Sequence, residues 1–213
     1  MARRRSQTPL VAAARRAGVT DERVLAAVAA VPRTAFVPAE MAERVDDDRP
    51  LQIGSGQTTS QPSLIAAMLE ALELEGHERV LEVGTGLGYE AALLAHLAAE
   101  VHTVERHASL AAQARERLAA AGIDGVTVHV GDGTQGVPDH APYAAIIVAA
   151  ATPEVPPALA AQLEDGGRLL APVGPEGDQQ VIRYRATAGE LRFDRRLVPV
   201  RFVPLVPDVR PPA

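Results

Sequence analysis

The chain has 213 residues, with 21 basic side chains (all Arg) against 27 acidic ones, for a net charge of −6. That length suits a single domain with a short appendage, and the acidic balance with only 3% aromatic residues argues against electrostatic capture or stacking of nucleic acid. The absence of Cys excludes disulfides, thiolate chemistry and cysteine-held metals, and no apolar run approaches the ~18 residues that would span a bilayer.

In chain order, Pro9 to Arg16 and Asp21 to Ala30 carry helical spacing, with Thr20 or Asp21 available as an N-cap. Arg3, Arg4 and Arg5 resemble the charged start of a secretory signal, but Arg15 and Arg16 interrupt the apolar stretch that would have to follow. A cytoplasmic protein is therefore expected, and a monomer is the expected state. Val31 to Pro38 breaks the helices, Asp46 to Pro50 is an acidic turn, and Leu51 to Thr59, with two glycines and no periodicity, is expected to be a loop. Ser60-Gln-Pro62 starts a helix running through Leu72, with Ser60 at or near the N-cap and Pro62 in the first turn.

From Glu78 onward strands and helices alternate. The expected elements are strand 79–83, helix 89–98, strand 101–105, helix 108–121, strands 126–130 and 143–149, helix 155–163 and strand 167–172. This pattern predicts an α/β fold: a doubly wound, mostly parallel sheet with a helical lead-in. Residues 179–186 and 191–201, around Thr187-Ala-Gly-Glu190, predict an antiparallel C-terminal hairpin, followed by a Pro-rich tail from Pro204 to Ala213. One domain is expected over 1–213. It comprises a lead-in and lid (1–60), a core (61–175), and the hairpin and tail (176–213).

The stretch Arg79-Val-Leu-Glu-Val-Gly-Thr-Gly-Leu-Gly-Tyr89 holds the densest chemical signal. A buried strand runs into three alternating glycines, Gly84, Gly86 and Gly88, where the absence of a side chain lets a ligand lie against the backbone. The next strand, Val101 to Glu105, ends in a carboxylate placed for the two hydroxyls of a ribose, and Asp132 and Gly133 follow the third strand. The spacing is GxGxG, and Glu82 precedes the first glycine by two residues. That combination resembles the first motif of the S-adenosylmethionine-dependent methyltransferases. The resemblance implies S-adenosyl-L-methionine as cofactor, S-adenosyl-L-homocysteine as product, and no metal. The Gly84–Gly88 turn, with Thr85, would admit the amino-acid end of the cofactor, its amides facing the carboxylate. Glu82 would interact with that same end, Glu105 with Arg106 would serve the ribose, and Asp132 with Gly133 the adenine. Read alone, Glu105 beside Arg106 could be a surface ion pair and Asp132-Gly133 simply a turn; their joint placement at strand ends favours the functional reading.

A longer resemblance covers roughly residues 21–206. Arg49-Pro-Leu-Gln-Ile-Gly-Ser-Gly-Gln-Thr-Thr-Ser-Gln-Pro62 is similar to the loop that marks the protein-L-isoaspartate O-methyltransferases. Val31-Pro-Arg33, Phe36-Val-Pro38, Ala141-Pro-Tyr143, Gly166-Gly-Arg168, Pro172-Val-Gly174 and Arg201-Phe-Val-Pro-Leu205 follow in the family's order. The resemblance implies methylation of the free α-carboxylate of L-isoaspartyl residues in damaged proteins and peptides, with repair continuing through a succinimide. It also implies that Gln57, Thr58 and Thr59 line a lid over the cofactor, that Ser60 orients the attacking carboxylate, and that Val203 and Leu205 run beside the substrate and pair with its backbone. From sequence, Ser60 as a helix cap stands open beside that role. Ala144, Ala149, Ser55 and Ser63 depart from the residues common in the family at those positions, mostly on the substrate side. The alternative function is methylation of an aspartate side chain in one dedicated peptide. The six histidines, at 77, 96, 102, 107, 129 and 140, are scattered in sequence and are expected to be solvated or locally bonded.

Overall fold

The computed structural model describes residues 8–207, so Arg3 to Arg5 and the end of the Pro-rich tail lie outside the described residues. Helices α1 (Pro9–Arg16) and α2 (Glu22–Ala30) form the lead-in. The Asp21 side chain accepts from Arg23 N–H and caps α2, which settles the choice between Thr20 and Asp21. Short 3-10 helices follow at Arg33–Phe36 and Ala39–Arg44.

The segment expected to be a loop is a miniature hairpin: β1 (Gln52–Gly54) pairs antiparallel with β2 (Gln57–Thr58). Its connection is Ser55-Gly56, both at positive φ (51° and 71°), the mirror-image turn that matches the twist of a hairpin. A strand of two or three residues is too short to show period-two alternation, so the sequence signal was confined to the Ser-Gly pair.

Helix α3 (Pro62–Ala71) leads into the sheet, made of β3 (Arg79–Val83), β4 (Glu100–Glu105), β5 (Val126–Val130), β6 (Tyr143–Val148), β7 (Leu163–Val173), β8 (Gln179–Thr187) and β9 (Glu190–Val200). The strand order is β5-β4-β3-β6-β7-β8-β9. The pairs from β5 to β7 are parallel, and β7-β8 and β8-β9 are antiparallel. The parallel core and the appended hairpin are thus as the alternating pattern predicts. Helices α4 (Tyr89–Leu94), α5 (Ala108–Ala120) and α6 (Pro157–Ala160) complete the fold. Three helices are shorter than expected: α4 ends at Leu94 instead of 98, α5 at Ala120 instead of 121, and α6 covers Pro157–Ala160 instead of 155–163. In α6 the consecutive prolines 156 and 157 keep the preceding residues extended, so the helix begins at Pro157, and β7 starts at Leu163.

The main apolar cluster packs α1 to α5 against one face of the sheet, with Phe36, Leu72, Leu93, Leu94 and Ile147 fully buried. A second cluster, including Leu81, Tyr143, Ile146 and Leu169, fills the other face. The hairpin is tied to α3 by Arg183, buried to 5%, which donates to the Ala71 carbonyl (2.8 Å), Glu73 (2.6 Å) and Asp194 (2.5 Å). Strand order reverses at β3, which lies between β4 and β6, and the crevice outside that point is where open α/β sheets bind ligands.

Candidate functional site

The glycine turn after β3 has Gly84, Gly86 and Gly88 at φ 101°, 54° and 92°. A Cβ on Gly86 would stand 3.0 Å from the Ile53 side chain of the β1–β2 hairpin, so a side chain there would also push on the lid. The turn is locked to the end of β4: Gly86 N–H donates to Glu105 Oε2 (2.9 Å) and His107 N–H to Glu105 Oε1 (3.0 Å). Glu105 is therefore 6% exposed and bound on both oxygens by backbone amides, which leaves one lone pair on each for a ligand.

Two carboxyl groups converge beneath the turn. Glu82 is fully buried on β3; its Oε2 accepts from Thr103 Oγ1 (2.5 Å), which is bonded to Thr85 Oγ1 (2.6 Å). Glu90, on the first turn of α4, is 7% exposed. The Oε1 atoms of both, and the Tyr89 hydroxyl, have no hydrogen-bond partner among the described residues. Burial, then the charge of Glu90, holds the Glu82 carboxyl well above its ordinary range, and burial pushes Glu90 up to about 8. Two buried acids thus present open acceptor oxygens to one cleft, a chemistry that complements a hydrogen-bond donor or a cation. Glu90 was missed by sequence reasoning because Tyr89-Glu90 reads as an ordinary helix start, where an acid favours the dipole.

Three adjoining cavities meet here. A narrow cleft of about 50 Å³ holds Glu82, Glu90, Thr85 and Gly86 under Thr59 and Ser60. A second cavity of about 230 Å³ is lined by Glu105, Arg106, Gly133, Gln57, Val203 and Leu205. An open groove of about 660 Å³ runs between Thr59 to Leu64 on one side and Gln179 with Val198 to Val203 on the other. Thr58 and Ala149 line all three, while Ser60 lines the groove and the narrow cleft. Asp132 caps the 3-10 turn Gly133–Gln135 beside the second cavity, accepting from Thr134 N–H (2.8 Å) and Thr134 Oγ1 (2.7 Å).

The structure removes one reading of Ser60. The N-cap of α3 is Gln61, without a side-chain cap bond. The helix start is instead held from outside: Asp48 accepts from Ser63 N–H (2.8 Å), Ser63 Oγ (2.7 Å) and Gln61 Nε2 (2.9 Å). Burial of the Asp48 carboxyl is outweighed by these bonds, which hold it below its ordinary value. The acidic turn is thus a brace for α3. A second brace is Arg33, 3% exposed, which donates to the carbonyls of Val45, Asp47 and Arg49 (2.8–3.0 Å) and to Thr59 Oγ1 (3.1 Å). Thr59 Oγ1 also accepts from Leu51 N–H (3.1 Å), so the lid is fixed at both ends.

The tail differs from expectation in one respect. The Val203 carbonyl and Leu205 amide bond Ala151 (2.8 and 2.7 Å), so those two groups are already paired within the chain. Val203 lines both the groove and the second cavity, whereas Leu205 faces the second cavity, beside Gly133 and Glu105.

The histidines also differ. Three of the six converge: His102, His129 and His140 bring ring nitrogens within 4.8 Å of one another, away from the glycine turn.

The sequence pattern of the family described as Protein-L-isoaspartate(D-aspartate) O-methyltransferase (PCMT) matches residues 5–210. The protein-L-isoaspartate O-methyltransferase of Methanoculleus marisnigri is 53% identical over 189 residues, covering 89% of this chain and 86% of its own. That of Roseiflexus castenholzii is 52% identical, covering 90% and 87%. A solved protein-L-isoaspartate O-methyltransferase superposes with a TM-score of 0.83 at 29% identity over 92% of this chain, which spans 64% of that longer one. A Plasmodium falciparum structure, named as a putative member in complex with S-adenosyl-L-homocysteine, shares the fold at a TM-score of 0.81 and 23% identity, over 94% and 98% of the two chains.

Proposed function

Because the chain belongs to the protein-L-isoaspartate(D-aspartate) O-methyltransferase family, we propose that it methylates the free α-carboxylate of L-isoaspartyl residues in damaged proteins and peptides. S-adenosylmethionine is the donor, and the ester closes spontaneously to a succinimide that reopens in part to aspartate. The observation that carries this reading is the position of Ser60, at the junction between the wide groove and the cleft under the glycine turn.

The residues fit the cofactor on the chain's own terms. Glu82 and Glu90 present two buried oxygens without donors, which an ammonium would satisfy. Glu105 keeps lone pairs free for ribose hydroxyls, with Arg106 beside it, and Gly133 opens the wall of the same cavity. A Cβ on Gly133 would stand 2.6 Å from the Val83 side chain, so the close approach depends on glycine. When bound, the cofactor supplies a methyl group on a sulfonium that needs no further activation.

A carboxylate is a nucleophile at neutral pH, so the chain has no proton to abstract. Its contribution is positioning and exclusion of water. Ser60 Oγ–H donates to one oxygen of the attacking carboxylate and sets its angle. Gln57, Thr58 and Thr59 cover the reacting atoms, and Arg33 keeps that cover rigid. The groove takes an extended peptide, recognised mainly through its backbone, so flanking residues vary freely. In this reading the lead-in, core and hairpin act as one monomeric domain in the cytoplasm. No helix among the described residues is long and apolar enough to cross a membrane.

The test is methyl incorporation into an isoaspartyl peptide and its aspartyl twin, in several sequence contexts. An isoaspartyl carboxylate lies one carbon nearer the backbone, and misplacement by about an ångström costs on the order of 10²-fold in rate. Methylation of isoaspartyl peptides in all contexts, with little on the aspartyl twins, is expected. Comparable rates on both isomers, or activity confined to one peptide, would replace repair by modification of a dedicated substrate.

A further inference from the structure

The second face of the sheet carries a cluster that methyl transfer does not use. β4 and β5 are parallel, with His102 opposite Thr127 and Val104 opposite His129, so His102 and His129 are diagonal neighbours on one face. The 3-10 turn Pro138–His140 brings His140 over them, its ring stacked on that of His102 at 4.1 Å between centroids. His102 is 1% exposed, and His129 and His140 are half-buried.

The hydrogen bonds fix how these rings point. His102 Nε2–H donates to Glu100 Oε1 (2.9 Å), which leaves a lone pair on His102 Nδ1, facing His129 Nε2 at 3.0 Å. Glu100 in turn accepts from Arg79 Nε (2.6 Å), and Arg79 also donates to the His140 carbonyl (3.3 Å). A carboxylate that holds the far nitrogen of an imidazole, and so aims the near one, is the usual outer support of a metal-ligating histidine. One nitrogen from each ring lies within 4.8 Å of the other two. A tetrahedral zinc with bonds of 2.0–2.1 Å needs about 3.3 Å between ligand atoms, within reach of small rotations of the half-buried His129 and His140 rings.

We propose that His102, His129 and His140 form a binding site for a first-row transition-metal ion of the zinc class, clamping β4 and β5 to the turn that precedes β6. Three neutral imidazoles suit zinc, and its cobalt and nickel analogues, and discriminate against calcium and magnesium, which need oxygen ligands. The fourth position is left to water on the exposed side of the His129 and His140 rings. The site lies apart from the Ser60 junction, so its role is structural, and it stands independently of the reaction proposed above.

The test uses untagged, chelator-treated full-length protein. Titration with zinc chloride by calorimetry should give one equivalent bound, and the melting temperature should rise by about 5–10 °C at free zinc a hundredfold above Kd. Cobalt chloride should give the visible absorption of a tetrahedral site, and magnesium chloride should do nothing. His129→Ala and His140→Ala, both at half-buried positions, should each abolish the cobalt spectrum and the zinc-dependent rise while leaving methyltransferase activity in place. No zinc uptake at micromolar concentration would overturn the proposal and leave the cluster a hydrogen-bonded histidine stack. Uptake undiminished in both variants would overturn it equally, by placing the metal elsewhere.

Discussion

Replacing Glu90 by Gln tests the buried acid pair under the glycine turn. Burial raises Glu90 from 4.5 to about 8, so between those values the folded protein keeps a proton that the unfolded chain has released. A group whose folded value is raised contributes stability that is fully present below its unfolded value and is lost as pH climbs toward the folded one. At 1.36 kcal/mol per tenfold change in proton affinity, Glu90 destabilises the cofactor-free protein by about 1 kcal/mol at pH 5 and about 3 kcal/mol at pH 7. Gln keeps the shape and removes the titration. In thermal scans without cofactor, the wild type should lose about 2 kcal/mol more than Glu90→Gln between pH 5 and pH 7. For a chain of this length that is a difference of about 4–8 °C in the change of melting temperature. An ammonium reverses the preference, because it favours the ionised pair. S-adenosylmethionine binding should therefore release protons at pH 7, seen as a dependence of calorimetric enthalpy on buffer. Glu90→Gln should bind about 10–100-fold more weakly, the scale for losing a hydrogen bond to a charged group. Parallel pH–stability curves for the two proteins, together with unchanged cofactor affinity, would refute the assignment.

Ser60→Ala should lower kcat with little change in cofactor Kd or melting temperature, since α3 is capped at Gln61 and braced by Asp48; a loss confined to stability, with kcat unchanged, would refute the positioning role. Asp48→Ala removes three hydrogen bonds at the start of α3 and should cost about 1–2 kcal/mol in denaturant unfolding. Because its folded pKa is depressed, that contribution is present above the unfolded value near 3.8 and is lost as pH falls through the folded one, so wild type and variant should converge in acid. Glu105→Ala should weaken cofactor binding by about 1.5–3 kcal/mol and also lower stability, because the Gly86 and His107 amides lose their acceptor; calorimetry and thermal scans on the same samples separate the two effects.

Much of the architecture was legible in the sequence because its signals are local. Buried parallel strands read as apolar runs, their crossovers as helical spacing, and the glycine turn with its flanking acids as a spacing along one strand–turn–helix unit. Hence the sheet from Arg79 to Val173, the hairpin around Thr187 to Glu190, and the placement of Glu82, Gly84 and Glu105 at strand ends could be anticipated. Ser60 could be singled out from the sequence, but its capping role could be discarded only once Asp48, fifteen residues upstream of Ser63, was seen to hold the start of α3. Likewise the raised pKa of Glu90 depends on its burial, Arg33 acts through carbonyls of the 45–49 turn, and the three histidines meet only because β4 and β5 pair in one register and a turn folds over them. A spacing can be read along a chain, but desolvation, charge coupling and convergence belong to distances between segments, which exist only after the sheet has closed.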